Sequence, residues 1–119
     1  MQSEGLYIAN TILEQLGGSP AQLRLMIGAR DIVALDENDR RRGGVQFGWP
    51  ATRGTWNKVC VALAWNDTYT VTFYEIRGSD IKREGESRAD IYADGLTPLF
   101  EQETKLTLTV PTILEVYPS

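Results

Sequence analysis

Two groups of residues in this chain could do chemistry at a surface, and both work through charge. The first is basic and interleaved with tryptophan: Arg40, Arg41, Arg42, Trp49, Arg53, Trp56, Lys58 and Trp65. Between Arg40 and Asn66 five residues are positive and none is negative. Arginine neutralises phosphate and stacks on bases, and an exposed tryptophan is a sequence-tolerant platform for a base. This segment is the candidate nucleic-acid contact, although Asp36, Glu37 and Asp39 adjoin it and could pair with the arginines instead. The second group is acidic. From Glu84 to Ser119 seven residues are negative and two positive. Among them Glu84, Glu86, Asp90, Asp94, Glu101 and Glu103 form the candidate contact for a protein partner, with charge steering the encounter toward a basic site.

Catalysis finds less support. The chain has no histidine, which removes Ser-His and Cys-His nucleophiles, histidine-based zinc sites and the usual neutral-pH general base. Asp31 with Asp36, or Asp90 with Asp94, can be imagined as paired carboxylates, and the second pair would share a helical face at i, i+4. Acid–base or metal work needs convergent partners from elsewhere in the chain, and the sequence offers none. No glycine pattern has the strand-to-helix context of a phosphate loop. No catalytic residue, metal or cofactor is expected. The single cysteine, Cys60, reads as a small buried hydrophobe in a strand, and without an internal disulfide partner it suits a reducing compartment.

The elements that must position these groups are organised around Trp56 to Ile76, two strand-like runs on either side of the turn-forming pair Asn66-Asp67. With a loop of only those two residues, the large side chains of the two strands would fall on opposite faces. An odd loop, such as Asn66-Asp67-Thr68, brings Val61 and Leu63 onto the face of Val71 and Phe73, and burial of one face favours it. Upstream, Leu6, Ala9, Ile12, Leu13 and Leu16 line one face of a helix over 3–16, capped by Ser3 and stopped by Gly17-Gly18. The alternation of Leu23, Leu25 and Ile27 predicts a strand, followed by a second apolar piece from Ile32 to Leu35. Residues 36–44 form an exposed loop, and Val45, Phe47 and Trp49 a short strand ended by Pro50.

Beyond the hairpin, Gly78-Ser79-Asp80 marks a turn and residues 81–88 a charged edge strand. Asp90 is placed to cap a closing helix with Tyr92, Leu96, Leu99 and Phe100 on one face, which Pro98 either kinks or restarts from Thr97. The apolar tail 107–117 should pack as an added strand, on this chain or in a homodimer. With 119 residues, 42% of them hydrophobic, the chain fits one domain over 1–119 with a possible extended tail from 107. It carries a net charge of −4, and no apolar run approaches membrane-spanning length, so a cytoplasmic protein with no membrane partner is expected.

Three blocks resemble a group of small uncharacterised proteins carried by phages and other mobile elements. They are Ile8-Ala9-Asn10-Thr11-Ile12-Leu13 with Gln15-Leu16-Gly17-Gly18, Asn66-Asp67-Thr68-Tyr69-Thr70-Val71 with Phe73, and Tyr92-Ala93-Asp94 with Leu96 and Phe100. The resemblance implies a helix, a meander of antiparallel strands and a closing helix, and no activity. The expected fold is therefore α+β: an N-terminal helix, an antiparallel sheet of four to six strands, and a C-terminal helix on one sheet face. The expected function is non-catalytic binding of a host or partner protein. The alternative is a nucleic-acid-binding module using the Arg/Trp segment 40–65.

Overall fold

Ile8, Ala9, Ile12, Leu13 and Leu16 recur at helical spacing and are buried on one face of helix α1 (Glu4–Gly17), whereas Leu6, expected on that face, is 43% exposed and Ile8 takes its place. In the computed structural model residues 4–52 and 54–108 are described, so the cap expected at Ser3 lies outside them. Gly18, at a φ of 96°, lets the chain leave the helix.

The strand expected over residues 23–27 is instead a second helix, α2 (Pro20–Ile27). Capping chemistry decides the matter. The Gln22 N–H donates to the Ser19 hydroxyl at 3.1 Å, Pro20 presets the first helical φ, and Gly28 at φ 71° donates its N–H to the Arg24 carbonyl. Of the alternating residues only Leu23 is buried, while Leu25 points into solvent at 86% exposure. Replacing Ser19 with alanine is expected to cost about 1 kcal/mol of stability in urea unfolding. An unchanged midpoint would mean that Leu23 packing alone holds α2.

Six antiparallel strands follow among the described residues: β1 (Arg30–Leu35), β2 (Gly43–Gly48), β3 (Lys58–Leu63), β4 (Tyr69–Arg77), β5 (Asp80–Glu84) and β6 (Arg88–Ile91). The order across the sheet is β1-β2-β3-β4-β5, and β6 also pairs with β4. Nine-residue β4 is thus flanked on one side by β3 and on the other by two short strands, β5 along Tyr74–Arg77 and β6 along Tyr69–Val71. Gly43 and Gly44, expected in the exposed loop, open β2 and are buried. A side chain on Gly44 would run into the Val61 carbonyl, and one on Gly43 would press on Ile8 of α1.

The β3–β4 loop is odd, as expected, but spans five residues, 64–68, instead of three. Val59 pairs with Phe73, Val61 with Val71 and Leu63 with Tyr69, so the parity holds while the register moves by two. These residues share a face with Val45 and Phe47 of β2, because directly opposed side chains project to the same side. Phe100 of the closing helix α3 (Ala93–Thr104) meets the rings of Phe47, Trp49 and Phe73 at centroid distances of 6.2, 5.0 and 6.0 Å. The Tyr69 hydroxyl donates to Gln15 Oε1 at 2.8 Å and ties α1 to the same layer. The architecture is α+β, with helices at both ends of an antiparallel sheet.

Asp90 does not cap α3. It lies in β6 at a φ of 60°, and Tyr92 occupies the cap position without a side-chain bond and is 66% exposed, off the face where Leu96, Leu99 and Phe100 are buried. The imagined pairing of Asp90 and Asp94 on one helical face is lost with it. Pro98 neither ends nor restarts α3, which runs through it as one element. The preceding Thr97 donates its hydroxyl to the Leu16 carbonyl at 2.9 Å and the Gln15 carbonyl at 3.1 Å, taking up acceptors left at the C-terminal end of α1. Leu108 is buried and its N–H donates to Glu101 Oε2 at 2.7 Å. The tail from residue 109, with the added strand and homodimer contact expected of it, lies outside the described residues.

Candidate functional site

The basic segment is split by the sheet. Lys58 and Leu63 stand at the two ends of β3, about 17 Å apart at the rise of an extended chain. Arg40, Arg41 and Arg42 lie at the Leu63 end, since the Arg42 N–H donates to the Leu63 carbonyl. Trp56 and Lys58 lie at the other. At the first end Arg42 is ion-paired with Asp67 and, at 3.6 Å, with Glu4. Arg41 Nε donates to the Asp36 carbonyl at 2.8 Å, and Trp65, half exposed, donates its ring N–H to the Asn38 carbonyl at 3.1 Å. Among the described residues only Arg40 of the three arginines has a side chain without a partner. Arg53 is outside the described residues.

Two of the tryptophans are not platforms for a base. Trp49 is 1% exposed, wedged between Phe47 and Phe100, and belongs to the core. Trp56 is half buried, and the Arg83 guanidinium sits 4.2 Å over its ring. The alternation of Val45, Phe47 and Trp49 carried the signal for the first. The second needed the β4–β5 register.

Arg83 belongs to a cluster that sequence reasoning missed. Glu75 follows Tyr69, Val71 and Phe73 on the apolar face of β4 and is 6% exposed. Its Oε1 accepts from Arg83 Nε at 2.9 Å. Its Oε2 accepts from Arg77 Nη2 at 2.9 Å and from the Gly54 N–H at 2.8 Å. Arg83 also donates to the Gly54 carbonyl at 2.7 Å, which pins the loop between β2 and β3. The Gly54 N–H, then Arg83 and Arg77, hold the Glu75 carboxyl below its ordinary 4.5 against the opposing effect of burial. Both carboxylate oxygens are matched, so this is a structural clamp. A carboxylate in the apolar register was the readable sign of it.

The acidic group divides as well. Glu101 accepts the Leu108 N–H, and Glu103 accepts from Arg88 Nη2 at 2.9 Å, so both are committed internally. Glu84, Glu86, Asp90 and Asp94 are exposed and, among the described residues, unpaired. They follow the sheet edge formed by β5 and β6. Ile81 at 59% and Tyr92 at 66% exposure stand among them as apolar side chains facing water. Asp80 adds a fifth carboxylate, and among the described residues of this strip only Lys82 is an uncommitted cation, because Arg83 and Arg88 are spent on Glu75 and Glu103.

On the sheet face opposite the core, Cys60 is half buried. Burial pushes its thiol above the ordinary 9.0, against the lowering effect of Arg41 and Lys58, so little reactive thiolate forms near neutrality. Among the described residues no three of histidine, cysteine, aspartate and glutamate converge to hold a metal, and no helix is long and apolar enough to cross a membrane. In comparisons with known proteins, no protein-family model, curated protein or solved structure matches this chain.

Proposed function

We propose that this chain is a non-catalytic interaction protein that binds the basic segment of a partner protein along its β5–β6 edge. The observation that carries the reading is the strip from Asp80 to Asp94, in which four unpaired carboxylates beyond Asp80 lie along the chain with Ile81 exposed at one end and Tyr92 at the other. Clustered carboxylates raise the encounter rate with a basic surface, and exposed apolar side chains supply contact area once it arrives. The same charge repels a second copy of the chain, so the edge favours a heterologous partner. The resemblance to proteins of phages and mobile elements points to a host protein as that partner. A lone cysteine suits a reducing compartment, and the encounter is proposed for the cytoplasm.

The test compares affinity capture from cell lysate by the wild type and by the combined variant Glu84→Gln, Glu86→Gln, Asp90→Asn and Asp94→Asn. Asparagine at 90 tolerates the positive φ, so the backbone is respected. A defined protein should be retained by the wild type, about tenfold less by the variant, and released as salt shortens the screening length. Equal retention by both, or none by either, overturns the reading. Exposed Trp65 with Arg40 and Arg41 supports the second reading, nucleic-acid binding, less strongly. Salt-sensitive oligonucleotide binding lost in Arg40→Ala/Arg41→Ala would favour it.

A further inference from the structure

The sheet face turned away from the core carries a groove of about 300 Å³, lined by Arg30, Asp31, Gln46, Gly48, Asn57 and Lys58 among others. Register builds it. Arg30 lies opposite Gly48, and Gly48 opposite Lys58, so two cations flank a position with no side chain. They are two strand spacings apart, about 9–10 Å between backbones. The Asn57 carbonyl oxygen stands beside the glycine opening, 3.1 Å from where a Cβ at Gly48 would lie, and is taken up by the Trp49 N–H at 3.0 Å. One wall is rigid. Asn57 Nδ2 donates to the Ile76 carbonyl at 2.9 Å and its Oδ1 accepts the Ile76 N–H at 2.7 Å.

Both cations are free to meet a ligand. Arg42, Arg77, Arg83 and Arg88 each have a carboxylate partner, whereas among the described residues neither Arg30 nor Lys58 has an ion pair or side-chain hydrogen bond. Gln46, two residues from Gly48 on the same face, is likewise unpartnered and can donate. Asp31 on the rim is more than 4 Å from both cations and leaves the groove with one net positive charge.

We propose that this groove binds a small molecule through an oxyanion, a phosphate or a carboxylate, held between Arg30 and Lys58 over Gly48. Arginine offers a planar fork to two oxygens and lysine a mobile point charge, a pairing suited to such a group. The groove extends to Ile76 and Gly78, and Ile76 lies opposite Ile81 of β5, so the site adjoins the β5–β6 edge but uses none of its carboxylates.

The experiment titrates uniformly ¹⁵N-labelled protein with sodium phosphate, and separately with sodium acetate, at ionic strength matched with sodium chloride. Saturable amide shifts centred on Arg30, Gly48 and Lys58 are expected, with a midpoint on the order of millimolar for so open a site. Saturation by phosphate alone assigns a phosphate ligand, and saturation by acetate assigns a carboxylate. Arg30→Ala/Lys58→Ala should weaken binding about tenfold or more, with Arg30→Gln/Lys58→Gln as the milder pair if the first loses its native spectrum. Lys82→Ala, at a cation that does not line the groove, should change nothing. Linear shifts without saturation, or equal binding by the double variants, overturn the proposal.

Discussion

Replacing Trp49 with alanine is expected to remove about 3–5 kcal/mol of stability, the usual cost of emptying a buried aromatic site. The side chain is 1% exposed and makes an edge-on contact with Phe100 at 5.0 Å as well as a tilted one with Phe47 at 5.8 Å. It therefore joins α3 to the end of β2. Small domains have roughly 5–15 kcal/mol in total, so much of the margin goes with this one ring. Urea unfolding of the variant measures it. The substitution also separates two roles for the residue: a base platform on the surface would cost little stability when truncated, so a loss below about 1 kcal/mol would move Trp49 out of the core. Trp65→Ala, at an exposed ring, should stay near that lower figure.

The second large effect is expected at Glu75, and it depends on pH. Glu75→Gln removes the charge that Arg77 and Arg83 share and should lower the melting midpoint at pH 7 by on the order of 5 °C or more. The folded carboxyl titrates below its ordinary 4.5, so the unfolded chain takes up the proton first as pH falls. Its contribution is complete above the ordinary value and is lost as pH drops through that value toward the folded one. Melting curves at pH 7 and pH 3 should show the gap between wild type and variant shrinking at the acidic end. A gap of equal size at both would sink the assignment.

Strong periodicity made the frame of this fold legible. Ala9, Ile12, Leu13 and Leu16 at helical spacing defined α1, although Leu6, expected on their face, is exposed, and the demand that Val61 and Leu63 share a face with Val71 and Phe73 defined the parity of the β3–β4 hairpin. The α2 helix was not legible from periodicity, because an eight-residue helix that buries only Leu23 has none, and chance alternation filled the gap. Ser19-Pro20 and Gly28 carried the stronger information. Asp90 misled for a related reason: aspartate tolerates the left-handed region as readily as a cap position, and here it took the former. At the surface, residue type located the charged groups but not their commitments. Arg42 and Glu103 are neutralised by residues that only the folded chain brings near, Glu101 is taken up by the Leu108 N–H, and Arg30 gains its place across Gly48 from Lys58 through two strand pairings.

The bonds from Thr97 to the end of α1 bear on how the chain comes to be made. Residues 15 and 16 present carbonyls whose partner hydroxyl lies 82 and 81 positions later. At a synthesis rate of roughly 5–20 residues per second, that hydroxyl is about 4–16 s away when the helix has just been polymerised. During that interval the apolar stripe of α1 has neither α3 nor most of the sheet to lie against. An element made well before its partners is thus among the last to be secured, and it is where a nascent chain would need a chaperone.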